Sequence, residues 1–257
     1  MVNKFGGLGP ALVLLAALLP RVTPALATDP MTTEQVRAAV AAVPTGKVDL
    51  AGKDMSRADF SGLDLNSANL AGANLSGANL HGVKLVGANL TGADLSGADL
   101  TFAWIMRANF TRARLRGATM QTVVTSTGMD NTPDQAATFV GADLSGASIV
   151  VHFSFDDMRG ANFSGAHMSV DMRNQSMGML RTEFIGAKLD GADFSGAGLG
   201  HVSFRFAKLA DARFAGADLS HADFAGATLS RADFTGANVE GASFESAELS
   251  GVTGLQR

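Results

Sequence analysis

The sequence predicts a solenoid: short repeats stacked around an even-sided coil, led in by one helix. Three observations carry that reading. First, a large apolar residue recurs at every fifth position from Leu50, passing through Phe60, Leu65, Leu70 and onward to Phe110, Leu115 and Met120. A period of five fits neither the 3.6 of a helix nor the 2 of a strand, so the repeat itself sets the geometry. Second, the neighbours of that residue are fixed in kind. Ala stands two places before it, Asp or Asn lies between, and small or polar residues with Gly follow, as in Ala68-Asn69-Leu70-Ala71-Gly72. Third, the central residues of the later run alternate in size: Phe184, Leu189, Phe194, Leu199, and so on to Phe244 and Leu249. Four repeats per turn stack Phe184, Phe204, Phe224 and Phe244 in one column and Phe194, Phe214 and Phe234 in the opposite one. An odd number of sides would mix Phe and Leu in every column and pack less evenly.

The chain begins with the pattern of a secretory signal. Lys4 is followed by the apolar run Ala11 to Leu19 and then by Ala25-Leu26-Ala27, a small-residue cleavage site. The run is short for a membrane span. Residues 1–27 are therefore read as a leader cut after Ala27, and the protein as exported to the periplasm or beyond. Removal of the leader takes away Lys4 and Arg21 and no acid, which moves the formal charge of −4 to −6. With no Cys the chain has no disulfide and no lipid-bearing cysteine, and its 46% hydrophobic content is enough to build a core without either.

Residues 28–47 read as a helical cap. Thr32 stands three places before Gln35, a capping-box spacing, and strong helix formers follow up to Ala42. Val36, Val40 and Val43 share one face, and Pro44, Thr45 and Gly46 stop the helix. A solenoid needs such a cover, because its first coil otherwise exposes apolar side chains and unpaired backbone groups.

The motif Ala-(Asp/Asn)-Leu/Phe-X-X resembles that of the pentapeptide-repeat family, and the resemblance runs over residues 48–251. It implies an all-β fold, a right-handed quadrilateral parallel β-helix with four repeats to a coil, the Leu/Phe and Ala pointing inward and the other three side chains outward. About 200 residues at 20 per coil make about ten coils, spaced about 4.8 Å apart. Residues 252–257 form a short tail. Some members of the family imitate DNA and inhibit topoisomerases. That role is an alternative here, opposed by the leader and by a modest charge against the duplex's one charge per about 1.7 Å.

Two interruptions are expected. Residues 121–141, rich in Thr, Ser, Gly128 and Pro133, read as a loop in place of about four repeats, with Ala142-Asp143-Leu144 as the re-entry. Residues 150–183 keep a five-residue step through Phe153, Met158, Phe163 and Met168 and then slip before Phe184. This second region holds His152, Met158, His167, Met168, Met172, Met177 and Met179, a composition able to hold copper through thioether and imidazole. Met158 and Met168 fall at the inward position, where flexible thioethers fill irregular space. The packing reading is preferred and no metal ligand is assigned.

Trp104, Arg107, Arg112, Arg114 and Arg116 lie just before the first interruption, all at outward positions. An exposed Trp among Arg residues is the composition of a binding hot spot, and these five are the candidate partner-binding residues. Against this, Asp94 lies one coil below Arg114 and would neutralise it. Asp193, Arg213 and Asp233 share a column in the same way, as do Asp64 and Lys84. His201 and His221 are neighbours on one corner, too few for a metal site. No nucleophile elbow, phosphate-binding loop or metalloprotease helix is present in the sequence, and the Asp residues have no apolar pocket to set one pKa against another. The reading is of an exported non-catalytic scaffold without a cofactor, which binds a protein rather than nucleic acid, as a monomer or as an end-to-end dimer through Phe244 and Leu249.

Overall fold

A computed structural model describes residues 30–43, 47–128, 131–169 and 181–255 of the chain. The leader assigned to residues 1–27, the helix stop at Pro44 to Gly46 and Met172, Met177 and Met179 lie outside these residues.

Four ladders of parallel bridges join residues of successive coils along the repeat region, three of them unbroken and the fourth interrupted between Val124 and His152. The first side begins Asp49–Asn69–Asn89–Asn109, the second Asp54–Asn74–Asp94–Arg114, the third Asp59–Asn79–Asp99–Thr119, and the fourth Asp64–Lys84–Trp104–Val124. On the first side ten rungs stack from Asp49 to Glu248; nine steps at about 4.8 Å give a length of about 43 Å. Most rungs are single bridges, because a turn follows every central residue. Named strands form in one place, where β1 (Thr119–Gln121) pairs in parallel with β2 (Ser148–Val150).

The repeat explains its own hydrogen bonds. Each central N–H donates to the next coil and each bridging N–H to the previous one, as in Leu50 N–H to Asn69 O and Asn69 N–H to Val48 O. The Asp or Asn between them serves the corner: its Oδ1 accepts the N–H two residues on, as Asp94 does from Ser96 at 3.0 Å. Asn side chains also link coils, Asn69 Nδ2 donating to Asp49 Oδ1 at 3.0 Å. Leu70 and Ala68 are wholly buried, and in the later coils the Phe rings stack within a column at 4.8 to 5.1 Å. Rings from opposite columns meet edge to face across the interior, Phe184 and Phe194 at 5.8 Å.

Helix α1 (Thr33–Ala41) has the reciprocal Thr32–Gln35 capping box, and Val36 is buried. It also completes the first coil. Met31 N–H donates to Asp54 O, and Thr33 Oγ1 accepts Asp59 N–H at 2.9 Å, so the cap supplies two of the bonds a preceding coil would have made. At the other end Val239, Phe244 and Leu249 are half-buried, and their N–H groups donate to nothing among the described residues.

The first interruption is narrower than 121–141. Val124 still bridges to Trp104, and Thr138 already bridges to Asn109, so the chain leaves the wall only over 125–136. Ala137-Thr138-Phe139-Val140-Gly141 is itself a repeat, which a loop-like composition obscures. The ladder offset becomes 29 residues across this loop, against 20 in the regular coils, so nine residues are inserted and no repeats are replaced. In the second region His152, Asp157, Asn162 and His167 all keep their rungs. The irregularity there is one four-residue side, Ser148 to His152, followed by an eleven-residue insertion between His167 and Glu183, whose ladder offset is 31.

Candidate functional site

Chain order runs around the coil, and this divides the residues read as one patch. Trp104 lies on the fourth side, Arg107 on the corner after it, Arg112 on the corner between the first and second sides, Arg114 on the second side and Arg116 just beyond. All five are exposed, but Trp104 and Arg114 stand on opposite walls. Arg114 pairs with Asp94 at 2.9 Å and Arg116 with Asp143. Burial works against the Asp94 and Asp143 carboxylates. Bonds from Ser96 and Ser145 and the two guanidinium groups outweigh it and hold both below the usual carboxylate range. These two Arg therefore serve the stack. Arg107 and Arg112 form no ion pair among the described residues.

The fourth side differs from the second. Where the second side reads Asp, Asn, Asp, Arg, Asp, Asn, the fourth reads Asp64, Lys84, Trp104, Val124, His152, Glu183 and Ser203, so its middle lacks the Asp/Asn corner bonds. The three exposed large apolar residues among the described residues fall on it or its two edges: Phe102 at 47%, Trp104 at 39% and Phe206 at 59% exposure. Phe102 sits edge-on to His81 at 5.3 Å, and Arg205 lies over Phe206 at 5.5 Å. The 125–136 loop leaves its far corner, and the chain rejoins this side at Glu183 after the second insertion. Loop residue Gln135 accepts Arg107 N–H at 3.0 Å, and Met106, beside it, is buried.

Two polar residues in inward Ala positions tie the insertions to the rod. Ala137 has lost the turn acceptor that a preceding repeat would supply, and Asp156 Oδ1 takes its N–H at 2.8 Å instead. Asp156 Oδ2 is buried without a partner. Burial drives this carboxyl well above the ordinary aspartate value, against the opposing pull of the Ala137 N–H. Thr182, also fully buried, donates its hydroxyl to Ile149 O at 3.0 Å where the second insertion rejoins. The signal for both was present, since Asp and Thr stand where the motif requires Ala.

Beside these anchors, on the fourth wall, is a cavity of about 190 Å³ lined by Thr122, Val123, Val124, Val150, Val151, His152 and Arg181. His152 and His167 occupy the fourth and third sides, while Met158 and Met168 are buried in the core, so the described part of the Met/His set is dispersed. His201 and His221 stack on one corner at 4.9 Å. Among the described residues no group of three His, Cys, Asp or Glu is placed to hold a metal, and no helix is long and apolar enough to cross a membrane.

A chain of four-residue-wide inner columns, with Asx-bonded corners and a rung every fifth residue, defines a class of stacked-repeat protein. The pattern described as Pentapeptide repeats matches in eight copies, which together cover residues 47–121 and 180–251. The chain belongs to the pentapeptide repeat family. Among solved structures it is similar to HetL of the cyanobacterium Nostoc sp. Strain PCC 7120, a protein involved in heterocyst differentiation regulation, with 26% identity over 88% of this chain and 100% of that one and a TM-score of 0.32. It is similar to full-length QnrB1, a plasmid-mediated fluoroquinolone resistance protein, at 19% identity over 70% of this chain and 90% of that one, with a TM-score of 0.31. A pentapeptide repeat protein of the Arabidopsis thaliana thylakoid lumen matches at 25% identity over 55% of this chain and 68% of that one, with a TM-score of 0.16. No curated protein matches the chain.

Proposed function

We propose that this chain is an exported, non-catalytic β-helical scaffold that binds a protein partner through its fourth side. The reading takes the coil as the right-handed quadrilateral form of its family and the first 27 residues as a leader. The observation that carries it is the placement along one wall and its two edges of Phe102, Trp104 and Phe206, exposed by 47%, 39% and 59%, with the 125–136 loop starting one coil from Trp104. Exposed aromatics next to a protruding loop are what a partner surface needs, since they bury large area at low entropic cost. Imitation of duplex DNA would need unbroken acidic columns. On the second side Arg114 and Arg213 interrupt the column, each facing the Asp one coil below at 2.9 and 3.9 Å. A second copy would pair end to end at the open last coil, around Phe244 and Leu249.

The test is recovery of a partner from the exported fraction with the leaderless chain as bait. Combined Phe102→Ser and Trp104→Ala should abolish recovery, while Arg114→Gln on the opposite wall should leave it intact. Equal recovery by all three baits removes the fourth side as the surface, and finding the chain uncleaved in the cytoplasm removes export.

A further inference from the structure

We infer that the opening in the fourth wall, between Thr122–Val124 and Val150–His152, is a binding site for a short aliphatic carboxylate. The ladder between these two stretches is intact up to one point, where Thr122 N–H donates to Val150 O at 3.0 Å. Beyond it the rungs stop. The upper coil runs one residue short between Ser148 and His152, and the lower coil departs into the 125–136 loop, so the two backbones no longer meet in register.

The residues lining the opening carry backbone groups without partners among the described residues, the carbonyls of Thr122 and Val123 and three N–H donors. The N–H groups of Val123, Val151 and His152 donate to no acceptor among the described residues, in a wall where the equivalent groups of regular repeats are paired. The carbonyl of His152 is already used, accepting Asn131 Nδ2 at 2.8 Å. At the rim Arg181 gives Nε to Glu183 Oε1 at 2.9 Å, and its terminal nitrogens make no hydrogen bond among the described residues. Backbone N–H groups left unpaired in a partly buried wall call for an acceptor, and a group of them beside a guanidinium favours an anion.

The remaining lining selects the anion. Val123, Val124, Val150 and Val151 make the cavity largely apolar, which disfavours phosphate or sulfate and favours a carboxylate with a small branched tail. Its volume of about 190 Å³ is roughly six times the share of one water in the liquid, about 30 Å³, and suits an acid of about five carbons. The same chemistry is offered by a free branched-chain acid and by the C-terminal residue of a peptide ending in Val. The site does not depend on the protein-partner reading, because a free acid would bind whether or not a protein does.

Calorimetric titration of the leaderless chain with isovalerate, with acetyl-Gly-Gly-Val and with the C-terminal amide of that peptide tests the inference. The acid forms should bind and the amide should bind at least about tenfold more weakly. Arg181→Gln and the cavity-filling Val124→Phe should each weaken the acid by about tenfold, with urea midpoints unchanged. If Val124→Phe shifts the midpoint, Arg181→Gln alone decides. Isovalerate binding as tightly as the peptide assigns the site to free acids, and a peptide at least about tenfold tighter assigns it to a chain terminus. Amide and acid binding equally, titrations that show water alone filling the cavity, or variants that bind like the parent overturn it.

Discussion

Replacing Asp156 by Asn tests how the first insertion is held to the rod. In the parent, one carboxylate oxygen accepts the Ala137 N–H at 2.8 Å and the other is buried without a partner. Asn keeps the accepting oxygen and removes the ionisation. The sign follows from burial, which raises the folded-state pKa well above the ordinary aspartate value. Below that ordinary value Asp156 is protonated in both folded and unfolded chains and carries no pH-dependent penalty. Between the ordinary and the raised value the folded chain holds a proton that the unfolded chain has released, so folding loses stability as pH rises. The slope is about 1.4 kcal/mol per pH unit. Urea unfolding at pH 4, 5, 6 and 7 should therefore show Asp156→Asn gaining on the parent by about that amount per unit until the folded pKa is passed. Asp156→Ala removes the acceptor as well and should lose about 1–3 kcal/mol relative to Asn at every pH. A parent-minus-Asn difference that stays flat across this range would refute the reasoning.

The corners give a second prediction. Gly72 has φ +64 with nothing within 4 Å of an added Cβ, whereas Gly226 has φ +68 and the Cβ would lie 2.6 Å from the Phe206 ring. Gly72→Ala should cost roughly 1–2 kcal/mol from backbone alone, Gly226→Ala should cost more in urea melts, and Phe206→Ala in the same chain should return it to the Gly72 value. Core and surface should separate cleanly too. Ala222→Leu, at a position 1% exposed, should lose about 1–3 kcal/mol, while Asp218→Asn, which keeps the oxygen that accepts Ser220 N–H, should stay within about 0.5 kcal/mol.

Much of the rod is legible in the sequence because one interaction dictates it. A residue that must be buried every five positions, flanked by Ala, leaves little freedom, and the Phe/Leu alternation foretells the stacks seen at 4.8 to 5.1 Å. The candidate site is less legible for the same geometrical reason. In a coil of four sides, residues 104 to 116 travel past several walls, and true neighbours lie 20 positions apart. A cluster in the sequence thus becomes a belt, and the apolar face of Phe102, Trp104 and Phe206 is assembled from residues too far apart to be noticed together. The interruptions mislead similarly. The 24-residue step from Met120 to Leu144 suggests lost register, yet it is the sum of an insertion and a resumed repeat beginning at Ala137. Asp156 was readable as an acid in an Ala slot; that it repairs the bond lost at Ala137 follows only from the fold.

The claim that a partner docks on the fourth side is tested most directly by photo-crosslinking from each wall in turn. A benzophenone side chain would replace Asn89 on the first side, Asn74 on the second, Asn79 on the third and Lys84, bridged to Trp104, on the fourth, each in the exported protein. A crosslinked partner is expected from position 84 and none from the other three. The same partner captured from position 74, on the opposite wall, with nothing from position 84, would contradict it.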